Sequence, residues 1–225
     1  MKKEGLLVPP DFSDTSKYLT SGNRTAITYD IRKISQTITG ETSGMVLRNL
    51  LVWMHTNTIR SNNFKHQQKF KRTANEILQS SERTGCCDSS TLFTALARSK
   101  NIPTMQVITF DKKWANDINK GIKCPISGHY FTACYITDLN NNSHWVLVDS
   151  DKPVKAVQDV KFSKLDLNNR NIQKNFYAFA YVRDYSDIDY NGLKINSIND
   201  MAKIQLVAYK NCDKNDLVLN EDLER

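Results

Sequence analysis

The hydrophobic period of this chain changes at Pro103. Before that point apolar residues recur at helical spacing, with Ile31, Ile34 and Ile38 in one block, Val46, Leu47, Leu50, Leu51 and Met54 in the next, and Gly40 and Gly44 between the blocks. This predicts two helices within residues 28–60, the second ending near Ile59, and a polar connecting loop from Arg60 to Arg72. A short helix follows from Thr73 and stops before Gly85. A largely buried helix then runs from Cys86 to Ser99, carrying Leu92, Phe93, Ala95, Leu96 and Ala97 without an internal Gly or Pro, and Asn101 and Pro103 end it. After Pro103 the period is two: residues 105–110, 129–136, 145–150, 176–183 and 204–209 are rich in Val, Ile, Tyr and Phe and read as strands. Helices first and strands afterwards indicate an α+β fold in which a helical layer packs on an antiparallel sheet. Near the C-terminus, Ser197-Ile198-Asn199-Asp200 reads as a capping box that opens a late helix.

At 225 residues and 40% hydrophobic content the chain can bury a core without disulfides or metal. The expectation is one domain over residues 1–225, with a core at 25–210, a frayed N-terminal segment and a frayed acidic tail after Asp213. No apolar run is long enough to span a membrane. The start Met1-Lys2-Lys3-Glu4-Gly5 leads into Val8-Pro9-Pro10 without an apolar signal core, so a soluble, cytoplasmic protein is expected. The formal charge of +7 raises the question of an anionic partner. Its densest stretch, Lys65 to Arg72, has aromatic interleaving, but no reader motif gathers the charge into a site. It reads as a solvated loop, and no nucleic-acid partner is expected.

Five cysteines stand at Cys86, Cys87, Cys124, Cys134 and Cys212. An odd count, an adjacent pair and the lack of any CxxC argue against a disulfide framework, a zinc ribbon or a thioredoxin-type site. Cys124, Cys134 and Cys212 read as small buried hydrophobes. Cys86 differs, because it follows Thr84-Gly85 and opens a buried helix. There the macrodipole and the free first-turn amides favour thiolate over thiol, and its own amide can donate to an oxyanion.

A nucleophilic cysteine needs a base and a group to orient that base. The loop from Thr137 to Ser143 joins two strands as a hairpin, and if it is symmetric about Asn140, His129 lies opposite Asp149 or Asp151. All three are odd-numbered and can share a face, whereas His144 falls on the other. Asp149 is the first choice as the orienting carboxylate and Asp151 the alternative. The segment from Asp111 to Gly128, which contains Trp114, is longer than a turn and reads as either an active-site flap or a surface loop.

The run Arg72-Thr73-Ala74-Asn75-Glu76-Ile77-Leu78, then Thr84-Gly85-Cys86-Cys87-Asp88, Leu92-Phe93-Thr94-Ala95-Leu96-Ala97-Arg98 and Asn101-Ile102-Pro103-Thr104 resembles the transglutaminase-like superfamily, bacterial type. Gly128-His129-Tyr130-Phe131 is similar to that family's histidine strand, and Trp145-Val146-Leu147-Val148-Asp149 to its W-x-x-x-D strand. The resemblance covers residues 25–150, with a weaker echo at 187–201. It implies a papain-like core with Cys86 as nucleophile, His129 as base and acid, and Asp149 as orienting carboxylate. The chain departs from the family at Cys87, at Ser89-Ser90, where an aromatic and Ala are usual, and at Asn101 for Gly. The interval to Ile102-Pro103 selects Cys86 over Cys87. The implied activity is cysteine-dependent acyl transfer on a peptide or protein substrate through a thioester, with hydrolysis favoured over crosslinking and no metal or organic cofactor. The alternative is a noncatalytic peptide-binding module, which Ser89-Ser90 and the lack of an acceptor motif leave open.

Overall fold

The computed structural model describes residues 12, 14–61, 70–166, 169–173, 175–190 and 192–212. The N-terminal segment, most of the basic stretch from Lys65 and the acidic tail after Asp213 therefore lie outside the described residues.

The first half is helical, as the period predicts. Helix α1 (Tyr29–Gln36) starts where the Thr28 side chain accepts from the Ile31 amide, and α2 (Ser43–Asn57) where Thr42 accepts from the Met45 amide. A short strand, β1 (Ile59–Arg60), pairs in parallel with β2 (Glu82–Arg83), and between them runs α3 (Ala74–Ser80), opened by a reciprocal capping box of Thr73 and Glu76. Helix α4 (Cys86–Ser99) follows directly. Leu92, Phe93, Ala95, Leu96 and Ala97 of α4 are fully buried, which makes it the central helix of the layer. Arg98 is buried with them. Its guanidinium donates to the Thr104 and Arg183 carbonyls and to the Thr25 hydroxyl, tying the end of α4 to the residues just after it and to segments far before and after it in the chain.

The second half forms β3 (Thr104–Asp111), α5 (Lys112–Asn119), β4 (Tyr130–Thr137), β5 (Ser143–Val148), β6 (Ser163–Lys164), β7 (Asn171–Gln173), β8 (Phe176–Val182) and α6 (Ile198–Lys210). Six strands make one antiparallel sheet in the order β6-β5-β4-β3-β8-β7, and the fold is α+β as expected. Along β4, Cys134 and Ile136 face the helical layer with Val146 and Val148 of β5, while Phe131 and Ala133 face the opposite cluster with Leu147. Both faces of the central strands are thus covered. The β4–β5 pairing is symmetric about the hairpin loop, with Thr132 facing Val148 and Ala133 facing Leu147.

The expected strand at 204–209 is instead part of α6. The Ser197 side chain accepts from the Asp200 amide and donates to its carboxylate, so the capping box sets the local structure. Met201, Ile204 and Ala208 then bury on one helical face while Leu206 stays exposed. A strand would have buried Leu206 with Ile204 and Ala208. The segment after Asp111 is neither plain loop nor free flap: it begins with α5, whose Trp114 packs against Phe110 and Tyr209.

Candidate active site

The loop before α4 is held from three sides. Gly85, the N-cap of the helix, has φ +140°, a backbone region that side-chain-bearing residues rarely enter. One turn in, the Asp88 carboxylate accepts from both the amide and the hydroxyl of Thr84 and pairs with Arg72 at 2.9 Å, with both charged groups buried. Arg72 in turn donates to the Glu82 and Glu76 carbonyls. Cys86 is therefore fixed as the first residue of α4, half-buried, and its amide has no partner within the helix.

His129 sits one residue before β4, at the end of the sheet next to the start of α4. Its backbone is clamped by Thr109. The Thr109 hydroxyl accepts from the His129 amide at 3.1 Å and donates to the His129 carbonyl at 2.9 Å, and the Thr109 amide donates to the same carbonyl. A break in the β3–β8 register between Ile108 and Thr109 accompanies this contact. Gly128 makes the approach possible, since a Cβ there would lie 2.3 Å from the Thr109 carbonyl oxygen. The imidazole packs edge-on to Phe131 and beside Phe176, and its Nε2 bonds Asp149 Oδ1 at 2.8 Å. That leaves Nδ1 free of Asp149, and Cys86 lies near enough for the thiol and the imidazole to shift each other's ionisation. The structure thus brings together all three residues picked out in the sequence.

The electrostatics of the three follow from these contacts. A hydrogen bond from the Cys87 thiol is the strongest influence on Cys86. With His129 it outweighs burial and holds the Cys86 thiol at about 5. Burial pushes Cys87 well above the ordinary thiol value, so Cys87 stays protonated and donates. Burial alone would lower His129, yet its hydrogen bonds to Asp149 and Cys86 raise it to about 10. Asp149 resists the upward pull of burial through the His129 bond and lies below its usual range. At neutral pH the site holds a thiolate, an imidazolium and a carboxylate in a row.

Asp151 is turned away from His129. Its Oδ1 accepts from the Ser89 hydroxyl at 2.7 Å, and its Oδ2 meets Arg60 at 3.2 Å. Arg83 donates to Ser89, to Thr58 and to Nδ1 of His55, and His55 reaches the Ser150 carbonyl through Nε2. The Asp151 amide donates to Asp149 Oδ1. Residues 149–151 are thus gripped one after another, and sequence reading missed the gripping residues Arg83, His55 and Arg60. The unexpected Ser89-Ser90 pair is explained here as well. Ser89 bridges Arg83 and Asp151, while Ser90 bonds the Tyr185 hydroxyl, and both lie buried on the inner side of α4. His144 pairs opposite Ile136 near the hairpin loop, at the far end of β5 from Asp149. Cys134 and Cys212 are buried, as expected, and Cys124 is half-buried.

A cleft of about 230 Å³ opens beside Cys86. Ile126 and Gly128, from the segment that follows Asp111, contribute to its lining. Among the described residues no group of three His, Cys, Asp or Glu side chains is placed to hold a metal ion, and no helix is long and apolar enough to cross a membrane.

The model of the transglutaminase-like superfamily matches residues 32–150, more than half of the chain. Among curated proteins no sequence matches it. Among solved structures, one from Cytophaga hutchinsonii named "Putative Cysteine Protease" aligns with a TM-score of 0.54 at 16% identity, over 81% of this chain and 52% of that one. The chain spans about half the length of that structure, and at this identity the likeness is one of fold.

Proposed function

We propose that this chain, which belongs to the transglutaminase-like superfamily, is a cysteine-dependent acyl-transfer enzyme that hydrolyses peptide or carboxamide bonds with Cys86, His129 and Asp149. The observation that carries the reading is the 2.8 Å hydrogen bond between His129 and Asp149 beside the Cys86 thiol, whose ionisation His129 favours, at the mouth of an open cleft.

The Cys86 thiolate attacks the carbonyl carbon, forming a C–S bond and moving the carbonyl electron pair onto oxygen. The Cys86 amide, at the positive end of α4, donates to that oxyanion. The His129 imidazolium gives its proton to the departing nitrogen as the C–N bond breaks, leaving a thioester and a neutral imidazole. Water then loses a proton to His129 and attacks the thioester, the C–S bond breaks, and the thiolate–imidazolium pair is restored. Hydrolysis is the favoured second half, since water needs no acceptor site of its own whereas selecting an amine does. The partner is a peptide or protein substrate, and the reaction uses no metal or organic cofactor. A cytoplasmic setting suits a free thiolate.

The rival reading, a noncatalytic peptide-binding module, expects the three groups out of reach of one another or the cleft plugged by residues 111–128. The nearness of the three groups and the open cleft favour the enzyme. The test is an electrophilic activity probe followed by peptide mapping. The enzyme reading expects the label on Cys86, labelling lost in Cys86→Ala and largely kept in Cys87→Ala. Labelling spread over all five cysteines would sink it.

A further inference from the structure

The steps of the proposed reaction leave part of the cleft without a task. Beyond the Cys86 and Cys87 thiols the cavity is walled by Phe70, Ile126, Tyr130, Ile198 and Met201. The last two belong to α6, which lies outside residues 32–150 matched by the family. Helix α6 is firmly seated: Ile204 and Ala208 are fully buried, and Gln205 donates to the Ser127 carbonyl two residues before His129. Its first turn is thereby held against the same backbone run that presents the imidazole.

The size and chemistry of this space limit what fits. At about 230 Å³ it is smaller than the roughly 300–1,000 Å³ that encloses a whole drug-sized ligand, and suits one large side chain. Arg60 is the one charged residue on the lining, and its guanidinium is engaged by Asp151. A charged side chain entering the apolar part would lose water and find no partner, whereas an aliphatic or aromatic one gains by leaving water.

We propose that this cavity is a specificity subsite that takes a bulky apolar side chain of the acyl donor, at or next to the residue whose carbonyl Cys86 attacks, with Ile198 and Met201 as its specificity-determining residues. The proposal rests on the acyl-transfer reading above and narrows its substrate class to peptides with Leu- or Phe-like residues at the cleavage point.

The test uses dipeptidyl acyloxymethyl ketones in which each position is varied in turn through Gly, Leu, Phe, Glu and Lys. The second-order rate of Cys86 labelling is the readout. Leu or Phe at one position is expected to label at least ten-fold faster than Gly, Glu or Lys there. Ile198→Glu places a carboxylate on the cavity rim at an already part-exposed position, in a first turn that favours acidic residues, so the fold is not at stake. It is expected to erase the Leu or Phe preference and raise the Lys rate. Iodoacetamide, too small to need the cavity, reads the thiolate alone. If it alkylates Cys86 no faster than a free thiol, the acyl-transfer reading falls. If it passes and the peptide series is flat, or Ile198→Glu keeps the wild-type preference, the subsite is overturned and the acyl-transfer reading stands.

Discussion

His129 bonds Asp149 through Nε2 at 2.8 Å, while Asp151, the residue a strict continuation of the β4–β5 register places opposite it, is turned into a buried cluster with Arg83 and Ser89. Two carboxylates of one short run therefore do different work. Asp149→Asn should leave the melting temperature close to wild type and lower kcat/KM by about 10²–10⁴, because the imidazole loses its orienting charge. Asp151→Asn should do the reverse in emphasis. It strips the counter-charge from buried Arg83, for which breaking a buried pair costs about 3–5 kcal/mol. Thermal melts and steady-state kinetics on both variants check the division, and equal kinetic losses would refute it.

The thiolate–imidazolium pair sets a pH window. Cys86 titrates at about 5 and His129 at about 10, so the reactive state is lost to protonation of the thiolate on the acid side and to deprotonation of the imidazolium on the alkaline side. A bell-shaped kcat/KM profile spanning that interval is expected, its limbs belonging to the coupled pair. Iodoacetamide alkylation of Cys86 should reach half its maximal rate near pH 5, far below the 9.0 of an ordinary thiol. Cys87→Ala removes the hydrogen bond that lowers Cys86 most, so its acid limb should move upward while turnover at neutral pH largely persists. An unmoved limb would show that the Cys87 thiol contributes nothing.

Thr109 lines the cleft and clamps the His129 backbone through its hydroxyl. Thr109→Val keeps the shape and removes the hydroxyl that both accepts from and donates to that residue, while Thr109→Ser retains it. Misplacing a catalytic group by about 1 Å can cost around 10²-fold in rate. A loss of roughly ten-fold or more in kcat for the Val variant, with KM little changed and the rate restored in the Ser variant, is expected from stopped kinetics. Gly128→Ala should be worse than either, because its methyl group would collide with the Thr109 carbonyl rather than with a movable side chain.

Much of this site was legible in the sequence because its logic is local. The helix from Cys86 announces itself by its apolar residues from Leu92 and the lack of any Gly or Pro after Gly85, and the hairpin symmetry brings His129 to the level of Asp149 and Asp151 by counting alone. What stayed hidden depends on contacts between distant segments. Nothing near Arg83 or His55 signals that they grip residues 149–151, since the grip exists only once β2 lies beside the exit of β5. The strand expected at 204–209 failed for a related reason. A short apolar run has no period of its own, and the Ser197 cap and the buried face of Met201, Ile204 and Ala208 decide it. The α5 helix was likewise concealed in a polar stretch whose burial rests on Trp114 meeting Phe110 and Tyr209.

Ser89 and Ser90, where the chain departs from its family, provide a final test of whether that departure signals lost catalysis. Both side chains point into the protein. Ser89 accepts from Arg83 and donates to Asp151, so Ser89→Ala leaves a buried guanidinium N–H and a carboxylate oxygen each short of a partner. A loss of about 1–3 kcal/mol in urea unfolding is expected. Ser90→Ala is milder, because the Tyr185 hydroxyl that it releases still donates to the Cys87 carbonyl at 3.1 Å. Neither serine touches the Cys86 thiol or lines the cleft, so both variants should keep the wild-type iodoacetamide rate under conditions where they remain folded. If either serine instead governs thiol reactivity, that rate will fall while the unfolding midpoint stays put, and the assignment of the pair to the scaffold behind Asp149 fails.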